Sequence, residues 1–109
     1  MEEDAQQMMM EMQQTQQRLQ EVAVQKEETQ DELDGINKSL EELEKDEDGE
    51  VYQEVGNILV AKDRDQLKDD LEDRKEDLDV RKESLDKKEE ELREKLQEAQ
   101  SQITQSMGQ

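Results

Sequence analysis

The chain has 109 residues, a net charge of −19 and only 28% hydrophobic residues, and Tyr52 is its single aromatic side chain. This composition excludes a conventional globular core, and no segment is basic enough to bind nucleic acid or an anionic membrane surface. The absence of cysteine and histidine excludes disulfides, zinc sites and catalysis by thiol or imidazole.

Residues 1–46 carry an unbroken heptad pattern, which predicts a coiled-coil helix. Its seam positions alternate at spacings of three and four: Ala5, Met8, Met12, Thr15, Leu19, Val22, Lys26, Thr29, Leu33, Ile36, Leu40 and Leu43. The polar members Thr15, Lys26 and Thr29 weaken the seam but can fix its register. Lys45 followed by Gly49 indicates the end of this helix.

Residues 47–63 change period and form a linker that we expect to be a β-hairpin. Val51 and Val55 lie on one face, Ile58-Leu59-Val60 is continuously apolar, and Gly56-Asn57 suits a two-residue turn. An isolated hairpin is marginally stable in water and leaves both edges unpaired. The linker is therefore expected to pair with other chains.

Residues 64–109 form a second predicted coiled-coil helix, with Asp63 and Gln66 as an N-terminal capping box. Its apolar stripe consists of Leu67, Leu71, Leu78, Leu85, Leu92, Leu96 and Ile103, and it is flanked by Arg74, Arg81, Lys88 and Lys95. Because the two arms match in length, antiparallel pairing within one chain is favoured over a parallel homodimer. This pairing predicts Leu33 near Leu78 and Leu19 near Leu92.

The predicted fold class is therefore mostly α: an antiparallel two-helix coiled-coil hairpin with a short β-hairpin at its base. Residues 1–46, 47–63 and 64–109 are expected to act as one domain. The chain has no nucleotide-binding motif, and its acidic pairs lie on exposed helix faces, so we expect no enzyme activity, metal or cofactor. No apolar run reaches the ~18–20 residues of a membrane span, which favours a cytoplasmic protein.

All six methionines lie near the chain ends: Met1, Met8, Met9, Met10, Met12 and Met107. Met8 and Met12 belong to the seam, but at about 100° per residue Met9 and Met10 point away from it. Flexible, polarisable side chains of this kind serve promiscuous binding surfaces. The predicted hairpin brings both chain ends to one tip, where Ile103 can join this surface.

The linker resembles that of the prefoldin β subunits. The family often shows V-Y-x-x-V-G-x-x-L-V-x-K, and this chain carries Val51-Tyr52-Gln53-Glu54-Val55-Gly56-Asn57-Ile58-Leu59-Val60-Ala61-Lys62. The segments Ser39-Leu40-Glu41-Glu42-Leu43-Glu44 and Leu19-Gln20-Glu21-Val22 also resemble the family. Asn57 departs from the proline that many relatives have after the glycine, but Gly-Asn also forms turns well.

The resemblance implies an α2β4 hexamer with prefoldin α-type subunits, in which the hairpins form a β-barrel platform. The helix tips would hold unfolded proteins and deliver them to a group II chaperonin without ATP. The residues that would mediate assembly are Val51, Tyr52, Val55, Ile58, Leu59 and Val60. The residues that would contact clients are Met8, Met9, Met10, Met12 and Ile103.

Two other functions fit the same sequence. A coiled-coil scaffold or tether would oligomerise through the β-hairpin without binding clients. An acidic chaperone for basic proteins would show steeply salt-dependent binding, although the charge is spread over the heptads rather than concentrated in an acidic tail.

Overall fold

The computed structural model describes residues 2–107, with the side chains of residues 4–107. Its elements are α1 (Glu2–Lys45), β1 (Val51–Val55), β2 (Ile58–Lys62) and α2 (Arg64–Met107). The predicted fold class of two long helices joined by a β-hairpin is confirmed. Met1 lies outside the described residues.

The chain divides into two compact units. The terminal unit comprises Met1–Glu28 and Lys82–Gln109, which bring the start of α1 and the end of α2 together. The hairpin unit comprises Thr29–Arg81, which include the rest of both helices and the two strands. Neither helix contains a stretch apolar enough to cross a lipid bilayer within the described part of the chain.

In the terminal unit, the two helices pack through heptad positions. Val22 of α1 is buried against Leu85 and Leu92 of α2, and Leu19 packs against the same cluster. Thr15 is also buried, and its hydroxyl donates to the carbonyl oxygen of Glu11 at 2.8 Å. The antiparallel pairing within one chain and the proximity of Leu19 to Leu92 are therefore confirmed.

In the hairpin unit, a second apolar cluster consists of Leu33, Ile36 and Leu78, with Leu40 and Leu71 packed against it. The predicted proximity of Leu33 to Leu78 is confirmed. The buried Thr29 also belongs to this unit. Burial of each leucine or isoleucine side chain contributes about 1.5–3 kcal/mol, so this cluster stabilises the packing of the two helices in the unit.

The seam of α2 includes polar positions between its leucines, beside the basic residues that were predicted to flank it. Arg74 and Arg81 are exposed, whereas Lys75, Lys82 and Glu89 are half-buried. Each half-buried residue follows a seam leucine by four positions, so the heptad spacing places it toward α1. The predicted basic residues lie one position earlier, at the solvent-exposed edge of the seam.

The strands pair antiparallel, with Val55 opposite Ile58 and Val51 opposite Lys62. Gly56 and Asn57 therefore form a two-residue turn, as predicted. Gly56 has φ of 61°, and no other residue in the described range has a positive φ. A positive φ at the first turn position alone is the type II′ pattern, which matches the right-handed twist of a hairpin.

Candidate functional site

The exposed methionines lie near the start of α1. Met9 and Met10 are 56% and 61% exposed, whereas the seam residues Met8 and Met12 are half-buried. The helical period accounts for this difference, because neighbouring residues are rotated by about 100° around the helix axis. The structure therefore presents two adjacent, flexible apolar side chains to solvent in the terminal unit.

Ile103 lies on α2 in the same terminal unit and is half-buried. It occupies a seam position, and most of its surface is therefore unavailable to a ligand. Met107, near the end of α2, is 80% exposed. Among the described apolar residues of this unit, Met9, Met10 and Met107 thus offer larger accessible surfaces than Ile103.

The second candidate surface is the two-stranded sheet. Residues directly opposite one another share a face, so Val51, Val55, Ile58 and Val60 lie on one face and Tyr52 and Leu59 on the other. Ile58 and Leu59 are 63% and 70% exposed, and Val51 and Val60 are half-buried. Within the single chain, both faces therefore expose apolar surface.

The outer edges of this sheet are also unpaired, because the described residues form one sheet of only two strands. Open edges present unpaired backbone N–H and C=O groups to solvent. Within this chain alone, neither apolar face of the sheet is fully covered.

Tyr52 combines an exposed ring with a polar contact. Its hydroxyl donates to Glu50 Oε2 at 2.6 Å. This hydrogen bond to a carboxylate, with a smaller effect of desolvation, raises the pKa of the Tyr52 phenol above its usual value.

Arg64, the first residue of α2, anchors the sheet to the helices, a role that sequence reasoning missed. Its Nη1 donates to the carbonyl oxygen of Leu43, and its Nη2 donates to the carbonyl oxygen of Gly49 at 3.5 Å. Carbonyl groups in the last turn of a helix lack helical partners and favour a nearby cation. Arg64 thus ties the end of α1 to the linker that leads into β1.

The predicted capping box at the start of α2 forms only in part. Asp63 Oδ2 accepts a hydrogen bond from the Gln66 backbone N–H at 3.1 Å. The Gln66 side chain donates to Asp70 Oδ1 at 2.9 Å instead of returning to Asp63. The Asp63 N-cap is therefore present. The second hydrogen bond of the box does not form, because the Gln66 side chain binds the Asp70 carboxylate one turn further along.

A charged cluster interrupts the seam of the terminal unit. Lys26 Nζ lies 2.8 Å from Asp86 Oδ1 and 3.4 Å from Glu89 Oε1, and Glu89 also pairs with Arg93 at 3.4 Å. The hydrogen bond with Asp86 is the main cause that raises the pKa of the Lys26 ammonium. Glu89 was absent from the sequence prediction, because heptad spacing allows a seam position either three or four residues after Leu85.

No group of three or more acidic side chains converges in a metal-binding arrangement within the described residues. The acidic run Asp46-Glu47-Asp48 lies between α1 and β1. The Asp46 carboxylate approaches Gly49 so closely that a Cβ there would lie 2.4 Å from its Oδ2. An alanine at position 49 would therefore displace the Asp46 carboxylate, which is the free end of a flexible side chain.

A family model described as "Prefoldin subunit" matches residues 6–109. The prefoldin subunit beta of Methanopyrus kandleri is 45% identical over 73 residues, which cover 66% of this chain and 61% of that relative. The match thus spans less than two thirds of that curated relative. The crystal structure of the prefoldin beta subunit from Thermococcus strain KS-1 superimposes with a TM-score of 0.83 and 36% identity, covering 94% of this chain and 91% of that one.

These three comparisons agree on one family. The family model alone covers most of the chain, and both relatives are β-type subunits. The resemblance inferred from the linker motif is thereby confirmed. The chain belongs to the prefoldin subunit family, which is a family of chaperones rather than of enzymes.

Proposed function

We propose that this chain is a β-type subunit of an ATP-independent holdase, which binds non-native proteins and passes them to a group II chaperonin in the cytoplasm. The observation that carries this proposal is the exposure of the consecutive residues Met9 and Met10 near the start of α1. Methionine adapts to ligands of varied shape because its side chain is flexible and polarisable. Exposed methionines are therefore suited to clients that share no sequence.

The second part of the proposal concerns assembly. The hairpin exposes apolar side chains on both faces and has two open edges. We propose that Val51, Tyr52, Val55, Ile58, Leu59 and Val60 pair with the hairpins of other subunits in a β-barrel platform. With α-type partners the complex would be an α2β4 hexamer.

Assembly would also raise the affinity for a client. Two exposed methionines on one chain bury little area and would hold a client weakly. Several subunits on one platform would bind the same client together, and linked binding sites can exceed the affinity of either site by about 10²–10⁴-fold. Met8, Met12 and Ile103 would contribute where a client displaces part of the seam.

The test is the joint change Met9→Gln and Met10→Gln in the complex assembled with α-type subunits. Glutamine keeps the length and helix propensity of methionine but removes its apolar surface. We expect binding of an unfolded protein to weaken by at least about threefold, with the size of the complex unchanged. The measurement is light scattering of a diluted, denatured client without ATP.

The control is Val80→Gln, because Val80 is 64% exposed on α2 but lies in the hairpin unit. This variant should suppress aggregation as well as the unchanged complex does. If the intact complex fails to suppress aggregation at all, the scaffold function becomes the better account. If Met9 and Met10 can be replaced without effect, their assigned role is wrong.

A further inference from the structure

The chain has one kind of readily oxidised side chain, the thioether of methionine. It contains no cysteine, histidine or tryptophan, and Tyr52 is its single aromatic residue. Its six methionines lie near the chain ends, and no methionine occurs between residues 13 and 106. Oxidation of this protein by a peroxide is therefore confined to a small set of residues that includes the proposed client surface.

Exposure divides the described methionines into two groups. Met9, Met10 and Met107 are 56%, 61% and 80% exposed, whereas Met8 and Met12 are half-buried in the seam. A peroxide has to reach the sulfur atom from solvent, so the exposed group reacts first. Met9 and Met10 are the adjacent pair in this group, and they are also the residues to which client binding is assigned.

Oxidation of Met9 and Met10 would change the surface of α1 but not its packing. Neither side chain belongs to either apolar cluster of the described residues. Leu19, which packs against the cluster of the terminal unit, lies about 14 Å beyond Met10 along the helix axis at 1.5 Å per residue. A modification here therefore acts on binding and leaves the coiled coil intact.

We propose that Met9 and Met10 form a reversible, oxidation-sensitive switch that weakens client binding when peroxide is present. Hydrogen peroxide transfers one oxygen atom to each Sγ. Its O–O bond breaks and an S–O bond forms, so the sulfur is oxidised by two electrons and the peroxide is reduced to water. This inference rests on the proposed function and assigns a form of regulation to the same surface.

The sulfoxide removes the property on which the proposed binding depends. A thioether is apolar and polarisable, whereas the sulfoxide oxygen makes the side chain polar. Burial of that oxygen against an apolar client segment would leave a polar group without a hydrogen-bond partner. Oxidation should therefore act in the same direction as the joint change Met9→Gln and Met10→Gln, but it can be reversed.

Reversal requires a separate, thiol-dependent methionine sulfoxide reductase, because this chain has no cysteine. Two thiols of the reductase are oxidised to a disulfide, the S–O bond breaks, and the oxygen atom leaves as water. Each sulfoxide epimer has its own reductase, so complete reversal takes both enzymes. The exposure of Met9 and Met10 leaves their sulfoxides accessible to these enzymes.

The test compares client binding before and after oxidation in three complexes assembled with α-type subunits. They contain the unchanged chain, the joint variant Met9→Leu and Met10→Leu, or the single variant Met107→Leu. Leucine is an apolar helix former without a sulfur atom to oxidise. Met107→Leu is the matched control, because it removes an exposed thioether outside the proposed pair. Each complex is treated briefly with hydrogen peroxide, which catalase removes before the client is added.

The probe is reduced, carboxymethylated α-lactalbumin, a permanently unfolded acidic protein. The net charge of −19 does not attract it, so its binding reports apolar contacts. Fluorescence anisotropy measures the ratio of Kd after oxidation to Kd before. We expect a ratio of at least about three for the unchanged chain and for Met107→Leu, and a ratio within about 1.5 for the joint variant. Treatment with both reductases should return the unchanged complex to its starting Kd.

Mass spectrometry locates the oxidised residues. Trypsin cleaves after Arg18 and Lys95, so the methionines of the two chain ends fall in separate peptides, and fragment ions distinguish the methionines within the first peptide. We expect Met9 and Met10 to be oxidised before Met8 and Met12, and bound α-lactalbumin to slow their oxidation. Helix content and sedimentation should not change after the brief treatment.

Four results would overturn the switch alone. The first is a Kd ratio in the joint variant as large as in the unchanged chain. The second is unchanged binding after Met9 and Met10 are oxidised, although their replacement by glutamine weakens it. The others are a loss of binding that persists after the reductases remove the sulfoxides, and earlier oxidation of Met8 and Met12. An untreated complex that does not bind the probe would overturn the proposed function as well.

Discussion

Gly56 and Gly35 differ in backbone conformation, so adding a methyl group should have opposite effects at the two positions. Gly56 has φ of 61° in the hairpin turn, whereas Gly35 lies exposed within α1, with no atom within 4 Å of the position a Cβ would take. We expect Gly56→Ala to destabilise the hairpin by about 1–2 kcal/mol, because L-residues disfavour the left-handed region. Gly35→Ala should instead stabilise the chain by about 0.5–1 kcal/mol.

The measurement is urea unfolding followed by circular dichroism, with both variants in the same assembled complex. The two changes add the same methyl group, so each serves as the control for the other. Midpoints that move in the same direction would contradict the assignment of these two backbone roles.

Lys26 gives a second prediction for single residues. Its pKa is raised above the ordinary value of 10.5, mainly by the hydrogen bond with Asp86. A group whose pKa rises on folding stabilises the native state fully below its unfolded pKa, and that stabilisation is lost as the pH passes through the folded pKa. The contribution of Lys26 should therefore disappear above about pH 10.5.

We expect Lys26→Gln to lower the urea midpoint at neutral pH and to flatten its fall at alkaline pH. The control is Lys87→Gln, since Lys87 is an exposed lysine of the same unit. Unfolding is measured at several values between about pH 9 and pH 12. An alkaline slope that is the same in the Lys26 and Lys87 variants would refute the role of this cluster.

The sequence predicted the seam of α1 correctly from Met8 to Leu43, since its heptad positions are mostly apolar and unbroken. The predicted seam residue Ala5, near the start of the helix, is exposed.

The seam of α2 was harder to predict. Its leucines recur every seven residues, and the polar position between them follows by three or by four. The structure uses four, which brings Lys82 and Glu89 to the seam. Residue type alone does not distinguish Lys82 and Glu89 from their neighbours Arg81 and Lys88.

At the scale of elements, Arg64 joins three segments: the end of α1, the linker and the start of α2. We expect Arg64→Met to destabilise the chain by about 1–3 kcal/mol, because carbonyl groups of Leu43 and Gly49 lose a charged donor. The aliphatic part of methionine retains much of the packing of the arginine stem.

The control for this prediction is Arg74→Met. Arg74 pairs with Glu32 at 2.9 Å, but the arginine side chain is 53% exposed. Exposed ion pairs contribute about 0–1 kcal/mol, so this control should change the urea midpoint little. Equal losses from the two arginine variants would show that Arg64 is only another surface charge.

The helices and the hairpin were predictable because each has a strong local pattern: heptads in the arms, and β-branched residues around Gly56-Asn57 in the linker. The contacts of Arg64 were not predictable in this way. They join residues 21 and 15 positions apart in sequence, and they depend on the path of the chain after α1 ends. The incomplete capping box has a similar cause, because Asp70 competes for the Gln66 side chain.

At the scale of the whole molecule, the strands remain incomplete in a single chain. Ile58 and Leu59 expose most of their surface, although they lie on opposite faces of the sheet. A sheet with two apolar faces and two open edges is unstable unless other strands or subunits cover it. The proposed barrel would cover both faces and both edges at once.

We therefore expect the joint change Ile58→Asp and Leu59→Asp to prevent assembly without unfolding the helices. Carboxylates on both faces would have to be buried in the barrel, at a cost of several kcal/mol for each charge. The control is Val80→Asp, which places one carboxylate at a residue that is 64% exposed on α2. Sedimentation velocity should show a small species for the strand variant and the full complex for the control. Helix content by circular dichroism should stay high in both, since the buried leucines of the two apolar clusters lie on the helices. A strand variant that still sediments as the full complex would refute the barrel and leave the exposed strands without an assigned partner.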